Sequence, residues 1–203
     1  MTTSAEKASL RTTMLLRRSG VGPEIRRDFA TGLASSGLRL VGRFGTEPAV
    51  SVFLPIRDEP DTLPLIASLS EDGIRTALPV TGGRATPLRF LAWRPGEPTV
   101  RGRFGTEEPA ATAPEIVPDV LFVPLAAFDR RGFRLGYGAG YYDSTLAELR
   151  RSKPVLAVGV AFSVQEVEAV PSEPHDERLD AVMTEHGLFT FGPDPCASSS
   201  SAT

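Results

Sequence analysis

Three short stretches of this chain carry residue types at spacings that can do chemistry. The richest is Pro124-Leu-Ala-Ala-Phe-Asp129-Arg-Arg-Gly132-Phe-Arg134-Leu-Gly136-Tyr137-Gly138-Ala-Gly140-Tyr141-Tyr142-Asp143. Glycines at alternate positions 136, 138 and 140 remove side-chain bulk, so successive backbone N–H groups can face one anion. A helix opening after Gly140 adds the positive end of its dipole at the same place. Phosphate is the natural guest. Arg134 offers a fixed charge with forked donors suited to phosphate oxygens, and Asp143 can hold a magnesium ion bridging them. Plainer roles stay open for each. Glycine-rich turns occur wherever a chain reverses tightly, and neither the Walker pattern nor the dinucleotide fingerprint is matched. Asp143 can simply complement a helix dipole, and Arg134 can pair with Asp129 across the turn.

The second stretch is Pro171-Ser-Glu173-Pro-His175-Asp176-Glu-Arg-Leu-Asp180. A carboxylate from this loop and Asp143 can share one magnesium ion; the alternative is a solvated acidic turn whose side chains cap backbone donors, with His175 a loop hydrogen-bonder. The third is Phe53-Leu54-Pro55-Ile56-Arg57-Asp58-Glu59-Pro60-Asp61-Thr62, where a strand ends in a charged turn before a helix. Ligands of α/β sheets collect outside the carboxyl ends of strands. Glu59 can therefore reach an amide or ring nitrogen of a substrate, while Asp58, Asp61 and Thr62 also suit an ordinary helix start.

The elements that must position these stretches follow from periodicity. Leu10, Met14 and Leu15 recur at helical spacing after Ser4, and Pro23 opens a second helix toward Gly37; both read as surface helices with one apolar stripe. Strands are predicted over 49–54, 74–80, 88–93, 119–125, 154–162 and 180–184, with further helices over 61–69 and 140–151. The runs at 119–124 and 154–160 are almost continuously apolar, as in strands covered on both faces. This alternation predicts an α/β sheet.

Composition narrows the classes. At 203 residues the chain suits one domain, expected over 1–192 with a small, polar, disordered tail over 193–203. The 22 basic and 25 acidic residues leave no overall positive field for nucleic acid or an anionic membrane. The basic residues Arg17, Arg18, Arg26, Arg27 and Arg39 read as a solvated face. One cysteine and two histidines exclude an internal disulfide and a Cys/His zinc cluster, and suit a reducing cytoplasm. No apolar run approaches the roughly 18 to 20 residues of a membrane span. The Ser-, Thr- and Arg-rich residues 1–20 faintly resemble a transit peptide, with a solvated helix the plainer reading. Gly42-Arg-Phe-Gly-Thr-Glu-Pro48 nearly repeats as Gly102-Arg-Phe-Gly-Thr-Glu-Glu-Pro109, but nothing around the copies repeats, so no solenoid is implied.

Taken together, Lys7-Ala-Ser-Leu-Arg11, the 53–62 stretch, Phe128-Asp129, Gly132, Arg134-Leu-Gly136, Gly138, Gly140-Tyr-Tyr-Asp143, Gly159-Val-Ala-Phe162, Gln165, Pro171 and His175-Asp176 resemble the 5-formyltetrahydrofolate cyclo-ligase family from Lys7 to about Phe191. The resemblance implies a single three-layer α/β/α domain with a mostly parallel central sheet. It implies an enzyme, a monomer, that uses ATP and Mg²⁺ to close 5-formyltetrahydrofolate to 5,10-methenyltetrahydrofolate. By the same resemblance Lys7, Arg11, Arg134, Gly136, Tyr137, Gly138, Gly140, Tyr141 and Tyr142 meet the nucleotide. Leu54, Glu59, Phe104, Tyr137 and Tyr141 border the folate, Asp143 and Asp176 hold the metal, and Arg134 and Tyr141 sit nearest the chemistry. The formyl oxygen would attack the γ-phosphate, and N10 would then close the ring with loss of phosphate.

The sequence departs from the family in places. Val80 stands after Pro79 where many relatives are basic, shifting recognition of the glutamate tail to Arg84 or Arg89, and Tyr137 and Ala139 replace basic loop residues of some relatives. Two other readings compete: an ATP-dependent kinase or ligase for another small anion, and a folate- or nucleotide-binding protein without turnover.

Overall fold

Where an apolar strand is covered on both faces, successive side chains must enter opposite cores, and the two continuous runs read from the sequence do so. The computed structural model describes residues 3–83, 85–102 and 105–192. Its elements run α1 (Thr3–Ser19), α2 (Pro23–Val41), β1 (Ala49–Ser51), α3 (Leu63–Glu71), β2 (Arg75–Val80), β3 (Arg89–Ala92), β4 (Thr99–Arg101), β5 (Glu107–Pro109), β6 (Val120–Pro124), β7 (Ala127–Phe128), β8 (Arg134–Leu135), α4 (Tyr141–Ser152), β9 (Leu156–Val160), β10 (Ala181–Thr184) and β11 (Gly187–Thr190). A seven-stranded sheet has the order β11-β10-β9-β6-β1-β2-β3. The strands from β10 to β2 run parallel, and antiparallel β11 and β3 close the edges.

Val120 and Phe122 of β6, with Leu156, Val158 and Val160 of β9, join Phe29, Leu33 and Leu40 of α2 and Leu65, Ile66 and Leu69 of α3 in one core. Leu121, Val123, Ala157 and Val182 point the other way, to a core that includes Leu146 of α4. The result is the three-layer α/β/α arrangement with a mostly parallel sheet. α2 and α3 approach closely because Gly37 faces Leu65, whose Cδ1 would lie 2.6 Å from an added Cβ.

α1 stands apart from both layers. Its Leu10 and Met14 pack on Ala127, Leu135 and Val170, so the helix rests on the β7–β8 hairpin rather than on the sheet. The expected apolar stripe of α1 is thus present. The uniformly solvated basic face is not, because Arg18 is only 2% exposed.

Boundaries moved for local reasons. The strand expected over 49–54 ends at Ser51, although the Val52 N–H still reaches the Ala77 carbonyl at 3.0 Å. The Phe53 carbonyl then accepts the Thr62 hydroxyl at 2.5 Å, which turns the chain off the ladder. The helix expected from 61 begins at Leu63, since Asp61 caps it through the Leu63 N–H at 3.0 Å. Arg134, expected in a loop, lies on β8. The pairs β4–β5 and β7–β8 and the edge strand β11 were not foreseen. The repeated Gly-Arg-Phe-Gly-Thr-Glu vocabulary serves two unlike places: the first copy is the exit from α2, and the described end of the second lies on β5. The tail 193–203, Arg84 and Phe104 lie outside the described residues.

Gly132 closes the β7–β8 turn at φ +85°, and a Cβ there would meet the Leu179 carbonyl oxygen at 2.9 Å. Both the left-handed backbone and the blocked space resist any side chain. Gly132→Ala should therefore cost about 2 kcal/mol or more in unfolding free energy by urea titration; a loss below about 0.5 kcal/mol would contradict this account.

Candidate active site

In a parallel sheet the crevice opens where successive connections leave to opposite sides. Here that point lies between β1, whose chain crosses toward β2, and β6, whose chain crosses toward β9. A cleft of about 920 Å³ opens there. Phe53, Leu54, Ile56 and Glu59 line it after β1, Pro79 and Thr81 at β2, and Pro124 at the end of β6. Residues 134–143 form its floor, and Lys7, Arg11, Glu173, His175 and Asp176 close the far wall.

α1 brings two cations to this cleft. The Arg11 Nε donates to the Gly136 carbonyl at 2.8 Å, and its guanidinium passes 3.4 Å from where a Gly138 Cβ would sit. Gly138, at φ +95°, is needed for its backbone, while a Cβ there would make only an ordinary contact with Arg11. The Lys7 ammonium donates to Asp176 at 2.7 Å and Glu173 at 2.8 Å. Burial works against that charge, but the hydrogen bonds to Asp176 and Glu173 prevail and hold Lys7 above the ordinary lysine value. Burial lowers Arg11.

On the opposite side, a polar chain links three elements, with Arg18 and Glu59 buried and Tyr137 partly exposed between them. Arg18 Nη1 donates to the Tyr137 hydroxyl at 2.6 Å, and Tyr137 donates in turn to Glu59 Oε1. Glu59 Oε2 accepts the Ile56 N–H at 2.9 Å. Burial pushes Glu59 upward, opposed by Tyr137, the Ile56 N–H and Arg18. The turn that carries Glu59 includes Arg57 at φ +54°, a left-handed conformation uncommon outside glycine. Arg26 steadies it by donating to the Asp58 carbonyl at 2.9 Å. Tyr142 is also drawn into this interior, and its hydroxyl is buried without a hydrogen-bond partner among the described residues.

The two carboxylates read as metal ligands each have one oxygen committed. Asp143 Oδ1 accepts Arg134 Nη2 at 2.8 Å and the Glu177 N–H at 3.1 Å. Asp176 Oδ2 accepts Lys7 and the Glu173 N–H at 2.8 Å. The carboxylates of Asp176 and Glu173 and the His175 ring bring possible ligand atoms within 4.8 Å of one another, a group that does not include Asp143. Arg134 feels both Asp143 and Asp176, though burial dominates and lowers it. It also donates to the Glu177 carbonyl at 2.5 Å. Its partner is therefore Asp143, not Asp129.

Asp129 is fully buried and does a different job. It accepts the N–H groups of Arg131 at 2.9 Å, Phe133 at 3.2 Å and Val170 at 2.8 Å, and pairs with the Arg131 guanidinium at 2.7 Å. Gln165 likewise ties the Leu125 and Ala126 carbonyls beneath the loop, at 2.8 and 3.1 Å.

Of the described residues expected at the site, Lys7, Arg11, Leu54, Glu59, Arg134, Gly136, Tyr137, Gly138, Gly140, Tyr141, Tyr142, Asp143 and Asp176 line this one cleft. Phe104 lies outside the described residues. Arg89, a candidate for the glutamate tail, does not line the cleft and pairs with Glu115 on the exposed edge. Sequence reasoning missed Thr81, Thr106 and Glu107, which line the cleft, and Arg18 behind it. For Arg18 a signal existed: 7, 11, 14 and 18 form one helical stripe.

Comparison with known proteins agrees with this fold. A sequence profile of the 5-formyltetrahydrofolate cyclo-ligase family matches residues 3–185. A 5-formyltetrahydrofolate cyclo-ligase of Mycolicibacterium smegmatis is 36% identical over 190 residues, covering 88% of this chain and 93% of that protein. One of Escherichia coli is 41% identical over 140 residues, 66% of this chain and 76% of that protein. The solution structure of 5,10-methenyltetrahydrofolate synthetase from Aquifex aeolicus superposes with a TM-score of 0.75 at 29% identity, covering 92% of this chain and 93% of that one.

The Asp129 network separates scaffold from chemistry. Asp129→Ala leaves three N–H groups without their acceptor, that of Val170 buried, and should cost about 2 to 4 kcal/mol of stability in denaturant unfolding. A loss below about 1 kcal/mol would show that the loop does not hang on this carboxylate.

Proposed function

The chain belongs to the 5-formyltetrahydrofolate cyclo-ligase family, and from that premise we propose how its cleft carries out the family's reaction, the ATP-dependent closure of 5-formyltetrahydrofolate to 5,10-methenyltetrahydrofolate with release of ADP and phosphate. The observation that carries the reading is a single loop with two different neighbours. At Gly136 it is pinned by Arg11, a cation suited to phosphate, and at Tyr137 it is bonded to Glu59, an acceptor suited to the N–H edge of a folate.

ATP would lie with its phosphates along residues 136–140, at the N-terminal end of α4, where Lys7 and Arg11 approach. Leu54 and Glu59 would border the folate, and Tyr137, Tyr141 and Tyr142 the ground where both ligands meet. The formyl oxygen attacks the γ-phosphorus and ADP departs, giving a phosphorylated imine-like intermediate. N10 then attacks the activated carbon, and the C–O bond breaks as phosphate leaves. No protein nucleophile is required. Asp143 and Asp176 would hold a magnesium ion, which supplies charge neutralisation on the phosphate oxygens. Arg134 contributes positive charge from beneath Asp143, and Tyr141 directs its hydroxyl to the Gly82 carbonyl at 3.3 Å, steadying the start of α4. The chain's own contribution is alignment and electrostatic stabilisation, as in other phosphoryl transfers.

We place the protein in the cytoplasm as a monomer, a setting that suits its single cysteine. No helix among the described residues is long and apolar enough to cross a membrane.

Purified protein with ATP, Mg²⁺ and 5-formyltetrahydrofolate should produce the near-ultraviolet absorbance of the methenyl product, and none without ATP; hydrolysis of ATP without that product would overturn the reading. Asp143→Asn should lower turnover on the order of a hundredfold, with an altered magnesium dependence. Near-normal activity in both Asp143→Asn and Asp176→Asn would remove the metal assignment. Lys7→Ala should raise the KM for ATP far more than that for folate, and an unchanged KM for ATP would leave Lys7 a loop-holding residue only. Arg134→Lys keeps a charge but loses the fork that spans Asp143 and Glu177, so turnover should fall while folate affinity holds. Equal, mild effects on both would defeat its part in phosphoryl transfer.

A further inference from the structure

Arg18 has no part in the reaction as proposed, yet its guanidinium is buried against Glu59 and Tyr137. A buried guanidinium is costly unless its donors are used. Here Nη1 goes to the Tyr137 hydroxyl at 2.6 Å and lies 3.8 Å from Glu59 Oε1, its carbon sits 5.9 Å from the Tyr137 ring centroid, and Nε is buried without a hydrogen-bond partner among the described residues. The Arg18 carbonyl accepts Arg26 Nη2 at 2.7 Å, and Arg26 also holds the Asp58 carbonyl, so the end of α1 and the Glu59 turn move as one piece.

The direction of these bonds matters. A guanidinium can only donate. Its N–H on the Tyr137 oxygen therefore obliges the phenol to send its own proton elsewhere, and the acceptor is Glu59. With the Ile56 N–H on its second oxygen, Glu59 receives a donor at each oxygen, the arrangement that favours a carboxylate over a carboxylic acid.

We infer that Arg18 is a positioning residue for folate recognition: by fixing the direction of the Tyr137 hydroxyl it holds Glu59 as an acceptor-only carboxylate facing the substrate's N–H groups. The inference rests on the assignment of Glu59 to the folate made above. The groups that face Glu59 are Arg18 from α1, Tyr137 from the loop after β8 and Tyr142 from α4. Burial already raises Glu59, so loss of Arg18 raises it further. The neutral form then becomes more populated as pH falls, and the defect shrinks as pH rises.

The test is the pH dependence of the KM for 5-formyltetrahydrofolate between about pH 6 and 9, with the KM for ATP measured alongside. Arg18→Met should raise the folate KM about tenfold at the acid end, less at the alkaline end, and leave the KM for ATP in place. Tyr137→Phe keeps the ring, removes the link and should show the same slope, which decides the matter if Arg18→Met does not fold. Arg18→Lys should recover part of the loss. Glu59→Gln should lose folate affinity at every pH. If Glu59→Gln fails in this way while Arg18→Met and Tyr137→Phe show no pH-dependent change, or raise both KM values alike, the positioning role is overturned and the folate reading stands. If Glu59→Gln binds folate normally, the folate reading falls and the inference with it.

Discussion

The docking of α1 on the β7–β8 hairpin is the contact on which the cleft depends. Leu10 and Met14 bury against Ala127, Leu135 and Val170, and the polar residues of the same stripe then face the glycine loop. Lys7, Arg11 and Arg18 each reach a different part of the site from that one helix: the acidic wall, the loop backbone and the Tyr137–Glu59 pair. Most of the stability of a helix in a protein comes from packing of its apolar face rather than from the helix alone. The helix and the site it completes therefore stand or fall with the hairpin, and the hairpin stands on Asp129, Gly132 and Gln165 beneath it.

The second constraint is charge balance. The cations read as phosphate ligands and the carboxylates read as metal ligands satisfy one another: Lys7 with Asp176 and Glu173, Arg134 with Asp143. Pairing of this kind keeps the half-buried charges from standing alone, which would be far costlier than the pair itself. If Mg-ATP binds as proposed, it would enter by exchange: Lys7 would trade carboxylate for phosphate, and the carboxylate it leaves would be the one offered to the metal. Arg134, only 3% exposed in its side chain, is less free to trade and remains a fixed charge under the loop.

Legibility from the sequence followed the length of the signal. The central strands were plain because a run such as Val-Leu-Phe-Val can satisfy two cores only as a covered strand. The hairpin β7–β8 was not, because two-residue strands carry no period to read. Within the motif, residue type alone could not divide scaffold from site. Asp129 and Arg134 look equally suited to chemistry, but one is spent on backbone N–H groups and the other underlies the cleft. Arg18 was misread for a related reason. Charge on a helix predicts solvent until a partner is known, and its partners, Tyr137 and Glu59, lie far away in the chain. The glutamate-tail assignment failed at Arg89 because β3 is an edge strand and turns that residue toward Glu115.

The β2–β3 connection is tied to the glycine loop: the Ala85 N–H donates to the Ala139 carbonyl at 3.0 Å, and the Ser144 hydroxyl to the Ala85 carbonyl at 2.9 Å. On the proposed reading, a segment that flanks the substrate side of the cleft is thereby stitched to the segment that would meet the phosphates. Ordering of this shared backbone by one ligand would then favour the other, and by linkage each would tighten the other by the same factor.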